Sequence, residues 1–323
     1  MKTGCKFRQG YQCRHRVTGQ LISLSRRRLR VRVPLAIPNG SKIMKAKWLI
    51  LNIGKDNHIN ELFYGVQECG RTAEVIPLKD FYEMLETPSP ESACIVTSGS
   101  IWANSYVRKQ RPNWVGNWHD ESLFTCSRYY SYWGKYITQQ NYVMLPFSEI
   151  RRRMDWLYSD IGFEDEIFIR PDSGAKEFVG EVVSRGRFNA WETEAKNGEN
   201  WKSDLLCVVA KPQNIDREFR FVIKNGKVVT GSTYRLAKHI SMERMADIDD
   251  ISAVIAFAEQ ALADNPPPLP PVHVLDIADC GGKFSILEVG CYCCAGLYES
   301  DRRKIALAVS EAAEEEFASK NNS

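Results

Sequence analysis

Absences narrow this sequence first. No apolar run in its 323 residues reaches the ~18 that a membrane-spanning helix requires, so no membrane contact is expected. The GxxxxGK[ST] loop is missing, which excludes the P-loop nucleotide-binding proteins. The HRD and DFG signatures of protein kinases are missing too. After the first strand-like run the chain reads NIGKDN, where a dinucleotide-binding fold would place GxGxxG. No internal repeat is visible. No Ser-His-Asp or Cys-His arrangement suggests a dedicated nucleophile, and His239 and His273 are expected to be structural.

Acidic residues are absent from positions 1–43, which hold 11 of the 43 Lys and Arg. The remainder carries 32 basic and 40 acidic side chains, a net of −8 against the whole chain's +3. A mildly acidic body argues against a general nucleic-acid binder and leaves nucleic acid as a partner of residues 1–43 alone. That segment, with SRRRLRVRV at 25–33, lacks the apolar core and cleavage site of a secretory signal. A disordered extension, or a natural start at Met44, is preferred to a nucleic-acid arm or a transit-like peptide. Ten cysteines are scattered through strand-like surroundings. Without a secretory signal they read as free thiols in a reducing, cytoplasmic setting. Cys291-Tyr292-Cys293-Cys294 is read as buried or loop cysteines rather than zinc ligands, being taken to have no CxxC and no second pair at a fitting distance.

From Met44 strand and helix patterns alternate. Strands are expected at 48–53, 72–77 and 93–98, with helices at 57–69 and 79–86. Units of this length suggest a small α/β layer with a parallel sheet. The aromatics at 101–141, among them Trp102, Trp118, Tyr129, Tyr130, Tyr132 and Trp133, are expected to pack a core. A connecting helix is expected over 147–161. From about 164 the pattern turns to hairpins: strands at 168–170 and 176–183 flank Pro-Asp-Ser-Gly, and an almost wholly apolar strand at 205–211 is expected to be buried on both faces. Asn225-Gly226 centres the clearest hairpin, over 216–235, and Gly281-Gly282 a last one, over 272–289. Helices are expected at 248–263 and 301–317, and PPPLPP at 266–271 as a stiff spacer.

Two of these hairpins carry unexpected charge. A regular two-residue turn at Asn225-Gly226 pairs Arg220 with Gly231, Glu218 with Thr233 and Asp216 with Arg235. Glu218, Arg220 and Val222 then share one face, and Phe219, Phe221 and Ile223 the other. Alone, the charged face would read as a solvated surface with cross-strand ion pairs. The last hairpin sets Asp276 roughly opposite Glu288 in apolar strands. Paired acids repel unless a cation lies between them, and Mg²⁺ suits such a site; the competing reading turns one acid outward. Arg170 and Lys176, in EIFIRPDSGAKEFVG, add cations that demand an anionic partner. Several cations near a magnesium site are what a triphosphate requires.

The ordered series FIRPDSGAKEFVG, LLCVVAKP, DREFRFVIKNGKVVTGSTYR, VLDIA, FSILEVG and AGLY resembles the ATP-grasp proteins over about residues 145–300. It looks closest to a compact clade known only as ATP-grasp domain-containing proteins. The resemblance implies an α+β fold: two α+β lobes clamping ATP, preceded by a small α/β, Rossmann-like domain. The expected division is 1–43 as a basic extension, 44–144 as the leading α/β domain and 145–323 as the ATP-grasp domain. By the resemblance, Lys176 reaches the nucleotide phosphates and Arg170 supports them or an acyl group. Val208, Val209, Ala210 and Lys211 form the hinge strand whose backbone bonds the adenine edge. Glu218 and Arg220 line the phosphate side together with Asp216. Arg235 holds the transferring phosphate or a substrate carboxylate, and Asp276 and Glu288 hold magnesium. Many members carry E-x-N at the last acid, where this chain has Gly290. The implied activity is an ATP- and Mg²⁺-dependent carboxylate–amine (or thiol) ligase acting through an acyl phosphate. Its partners would be small-molecule or peptide acids and amines. The alternatives are an ATP-grasp phosphotransferase and a non-catalytic nucleotide-binding protein.

Overall fold

The leading layer follows from short strands with apolar centres. In the computed structural model, β1 (Lys47–Asn52) pairs in parallel with β2 (Thr72–Pro77) on one side and β3 (Ala93–Ser98) on the other. Trp48, Leu49, Ile50 and Leu51 are all buried, as a central parallel strand covered on both faces requires. Helices α1 (His58–Glu68) and α2 (Leu78–Glu86) make the crossovers. Helix α3 (Ile101–Gln110) starts at Ser100, whose Oγ accepts from the Ala103 N–H at 3.2 Å. The short β4 (Trp114–Val115) completes the sheet order β2-β1-β3-β4.

The structure describes residues 44–52, 58–87, 92–175, 177–198, 201–236 and 240–321, all within one unit, Ile43–Ser323. The readings made for residues 1–43, for Lys176 and for His239 therefore lie outside the described residues. Among the described residues no helix is long and apolar enough to cross a membrane.

The aromatic stretch packs inward in part. Helix α4 (Cys126–Trp133) buries Tyr129, Tyr130 and Trp133, while Trp102 and Tyr132 stay exposed. The single helix expected over 147–161 is broken. After β5 (Tyr142–Pro146), α5 (Phe147–Arg152) ends where Arg153 leaves helical geometry at φ −112° and ψ 12°. The chain resumes as α6 (Met154–Trp156) and one wide turn, Leu157–Ile161.

The second sheet is antiparallel, in the order β5-β8-β6-β7, with β6 (Glu166–Pro171), β7 (Glu181–Ser184) and β8 (Leu206–Ala210). Helix α7 (Phe188–Lys196) covers one face, where Phe147 stacks on Trp191 with centroids 5.5 Å apart. Cys207 and Val209 join that core, and Val208 and Ala210 a second one, so β8 is buried on both faces as its composition implies. The strand expected over 176–183 begins only at Glu181. Before it the chain loops out, with the Ser173 hydroxyl donating to the Glu177 carboxylate at 2.7 Å.

The third sheet, β10-β9-β11-β12, holds the two charged hairpins: β9 (Arg217–Lys224), β10 (Lys227–Leu236), β11 (Val272–Cys280) and β12 (Lys283–Cys291). Both turns need positive φ at both central positions: 49° and 78° at Asn225-Gly226, 66° and 82° at Gly281-Gly282. The regular register does not hold. Bulges between Val228 and Thr230 and between Thr233 and Arg235 place Arg220 opposite Ser232 and Glu218 opposite Arg235. Helix α8 (Ile251–Ala263) packs on this sheet. Helix α9 (Arg302–Asn321) returns to the leading sheet, where the Trp48 indole N–H donates to Ser310 Oγ at 2.9 Å.

Candidate functional site

Strands β9, β11 and β12 set Arg220, Asp276 and Glu288 side by side in one row. A third bulge, after Asp276, makes this possible, since an unbroken register from the Gly-Gly turn would have brought Leu287 opposite Asp276. The Asp276 carboxylate takes a bidentate pair from Arg220, Nε to Oδ1 at 2.7 Å and Nη2 to Oδ2 at 2.6 Å. Arg170 reaches the row from β6, its Nη2 3.3 Å from Glu288 Oε1. This answers what Arg170 faces. It also changes the argument for a metal, because each acid already has one guanidinium. Neither acid is turned away from the row.

The surroundings are buried rather than solvated. Glu218 and Asp276 are 6% and 1% exposed, so the charged face of β9 is interior, against the reading that it is a solvated surface. Burial pushes the Glu218 carboxyl up, against the Arg235 guanidinium 3.4 Å away. Burial also raises Asp276, Arg220 works to lower it, and the Glu288 charge adds to the rise. Burial works against the charge of Arg170, and the Glu288 carboxylate 3.3 Å away favours it. Tyr234 and Tyr298 stack on each other at 5.0 Å, and Arg220 lies 5.3 and 5.2 Å from their ring centroids. Tyr234 is the extra residue of the second bulge, which aims its hydroxyl at Asp276 Oδ2, 3.4 Å away. Tyr298 holds φ at +45°, a strained value for a non-glycine residue.

Residues 150–308 match the family model described as ATP-grasp domain, R2K clade family 2. The chain carries an ATP-grasp domain. In fold it is similar to D-cycloserine synthetase DcsG, with a TM-score of 0.53 and 14% identity over 84% of this chain and 99% of that one. It is similar to the D-alanine–D-alanine ligase of Bacillus anthracis, with a TM-score of 0.53 and 12% identity over 86% and 99% of the two chains. The RimK domain ATP-grasp protein of Sphaerobacter thermophilus gives a TM-score of 0.54 and 10% identity over 83% and 98%. No curated protein matches the sequence. The mixed α/β architecture, with its leading parallel sheet and two antiparallel sheets, is the ATP-grasp arrangement that the motifs implied.

Within the ATP-grasp domain two site readings need correction. The backbone of Val208, Val209 and Ala210 offers no edge to adenine, because β8 is paired with β6 on one side and β5 on the other. The pairing extends to both ends: Asp172 N–H donates to Leu206 O at 2.8 Å, and Lys211 N–H to Asn141 O at 3.0 Å. A free edge begins only beyond Lys211, whose ammonium sits 4.5 Å from the Phe163 ring centroid. Asp216 lies outside β9 and ties down the last hairpin instead, its Oδ2 accepting from the Gly281 N–H at 2.7 Å. Arg235 is half exposed at the end of the charged face, beside Glu218.

Several neighbours of the row carried no assigned role in the sequence. Tyr234 and Tyr298 stood inside the GSTYR and AGLY segments, but only the bulge and the left-handed turn bring them onto Arg220. Tyr129, Tyr130 and Cys126 on α4 lie near enough to Arg170 to act on it electrostatically, a proximity that no spacing reveals. The donor set suits magnesium. Carboxylates are hard oxygen ligands with about four lone-pair sites each, so an arginine contact leaves positions free. Glu288, with its side chain 35% exposed, is the more accessible of the two.

Proposed function

We propose that the chain is an ATP-dependent carboxylate–amine (or thiol) ligase, with residues 44–144 as its leading α/β domain and 145–323 as its ATP-grasp domain. The observation that carries this reading is the row Arg220–Asp276–Glu288, with Arg170 closing on it from the opposite sheet. In the proposed reaction the γ-phosphoryl group passes to a substrate carboxylate oxygen and ADP leaves. An amine or thiol then attacks the acyl carbon and inorganic phosphate departs.

The residues divide this work by charge. Arg170 neutralises the phosphates from the β6 side, and Lys176 joins it on the strength of the sequence resemblance alone. Arg220 is held by Asp276 and by the tyrosine stack, so its guanidinium is oriented before any ligand arrives. Arg235 is half exposed beside Glu218 and would meet a substrate carboxylate. Asp276 and Glu288 would hold Mg²⁺, which supplies charge neutralisation at the transferring phosphate. Adenine would meet the backbone beyond Lys211. The positioning of two reactants and the charge around them suffice as catalysis of this class, without a covalent nucleophile.

One observation favours binding without turnover. A Cβ at Gly290 would meet only Val274 Cγ2, at 3.4 Å, so packing leaves room for a ligating side chain that the chain does not have. The test is Lys176→Ala and Glu288→Ala, assayed for ATP affinity and for ADP release with pools of acids and amines. Both variants should bind Mg-ATP more weakly than wild type. Unchanged affinity in both would remove the assignment. ADP release that requires acid and amine together supports a ligase. Release with a hydroxyl acceptor alone supports a phosphotransferase.

A further inference from the structure

Three cysteines and a histidine meet away from the acid row. Cys291 ends β12, and the chain then makes a single 3₁₀ turn, Tyr292–Cys294. The turn folds the next two cysteines back, leaving the Cys291 and Cys293 sulfurs 2.9 Å apart. His119, from the loop after β4, sets its Nδ1 3.9 Å from Cys294 Sγ. All four donor atoms lie within 4.8 Å of one another, and His119, Cys291 and Cys293 are buried. A zinc ion bonded to sulfur at about 2.3 Å holds tetrahedral sulfurs about 3.8 Å apart, so small side-chain adjustments would seat it. Behind the ring, His119 Nε2 has no hydrogen-bond partner of good geometry and lies 3.5 Å from Glu121 Oε1. A carboxylate behind the imidazole is what metal-ligating histidines commonly carry.

We propose that His119, Cys291, Cys293 and Cys294 form a structural zinc site. Three thiolates and one imidazole select zinc by softness and geometry, and four protein donors leave no open position for a substrate. The expectation of no CxxC and no second pair is wrong in its first part. Cys291 and Cys294 themselves stand at C-x-x-C spacing, Cys293 adds a third thiol, and the fourth donor comes from the leading layer. The backbone around the cluster is already tied to that layer: Cys293 O accepts from Gly99 N–H at 2.7 Å and from Asn104 Nδ2 at 3.3 Å. Beyond it, Gly296 O accepts from Arg220 at 3.3 Å, and Tyr298 packs on the same guanidinium. The metal would therefore pin residues 291–298 between the leading layer and the acid row. This inference stands whether or not the ligase reading does.

The experiment begins with protein purified without chelator, dialysed and assayed for metals by mass spectrometry. One zinc per chain is expected. Apoprotein titrated with Co²⁺ should saturate at one equivalent, with tetrahedral d–d absorption and a sulfur-to-cobalt charge-transfer band. His119→Ala and Cys294→Ser should weaken zinc binding by about tenfold or more, and Cys69→Ser should not. Thiol alkylation of the folded wild type is independent of variant folding: Cys291, Cys293 and Cys294 should resist labelling until a chelator is added. Any of four results would overturn the site. These are no stoichiometric zinc together with no charge-transfer band, iron with a visible iron–sulfur spectrum in place of zinc, a Cys291–Cys293 disulfide by mass spectrometry, or full metal retention by both ligand variants.

Discussion

Glu288 and Cys291 stand three residues apart on β12, yet they belong to opposite chemistries. Around Glu288 the charges are balanced by guanidinium groups, and the carboxylate keeps 35% of its side chain exposed. Around Cys291 the donors are soft, the neighbours are other sulfurs and an imidazole, and the group is buried. Burial pushes the Cys291 and Cys293 thiols up, while hydrogen bonds from those two thiols pull Cys294 well below its usual range. The contrast teaches that one strand can present an exchangeable charge site and a closed donor set within about 10 Å, at ~3.4 Å of rise per residue. Solvent access and donor softness set them apart.

The strongest way to break this contrast is at the row itself. Arg220→Ala leaves Asp276 buried and without its bidentate partner, so it should cost about 3 kcal/mol or more in urea unfolding. A loss under about 1 kcal/mol would mean that the tyrosines and water already satisfy the acid. Glu288→Ala should lower magnesium-dependent nucleotide affinity at least about tenfold, or 1.4 kcal/mol, by calorimetry. The same variant should keep its full zinc content. Cys294→Ser should do the reverse: the melting temperature falls by several degrees while the nucleotide affinity of the folded protein changes less than about threefold. An affinity loss equal to that of Glu288→Ala would merge the two regions into one.

Two smaller effects sharpen the picture of the row. Burial holds the Glu218 carboxyl above its ordinary 4.5. A carboxyl raised by folding binds its proton more tightly in the native state, so stability falls as pH rises from that ordinary value through the raised one. Glu218→Gln should flatten this fall, read as a urea midpoint that changes less than the wild type's between pH 4.5 and neutrality. Identical pH slopes would show that Glu218 is not a source of it. Gly290→Asn should shift stability by no more than about 0.5 kcal/mol, because the strand has space there. If a missing ligand limits turnover, this variant should raise magnesium affinity, and unchanged titrations would detach Gly290 from the question.

Local patterning explains what was legible. Parallel strands at 72–77 and 93–98 stood where their apolar runs placed them, because short buried strands need little beyond β-branched and aliphatic side chains. Asn225-Gly226 and Gly281-Gly282 announced their turns through positive φ. The ordered motifs pointed to ATP-grasp and to Asp276 with Glu288. Illegible were α3, α4 and α7, whose aromatic and polar residues follow no clean helical period. The three bulges were also hidden, since an extra residue in a ladder leaves no mark in alternation. They decide that Arg220 meets Ser232 and that Tyr234 points at Asp276, and the third turns the rough pairing of Asp276 with Glu288 into an exact one.

The amino-acid order alone determined the two hairpin turns, the doubly buried β8 and the charged residues that had to find partners. Those are consequences of backbone φ, side-chain alternation and desolvation cost, which act within a few residues. Tertiary structure alone decided that Arg170 faces Glu288, that β8 has no backbone to spare, and that His119 completes a ring of three thiols. Each depends on segments far apart in the chain meeting at a distance of a few ångströms. Spacing along the chain carries no information about such meetings, because loop closure between the segments is set by the packing of the whole fold.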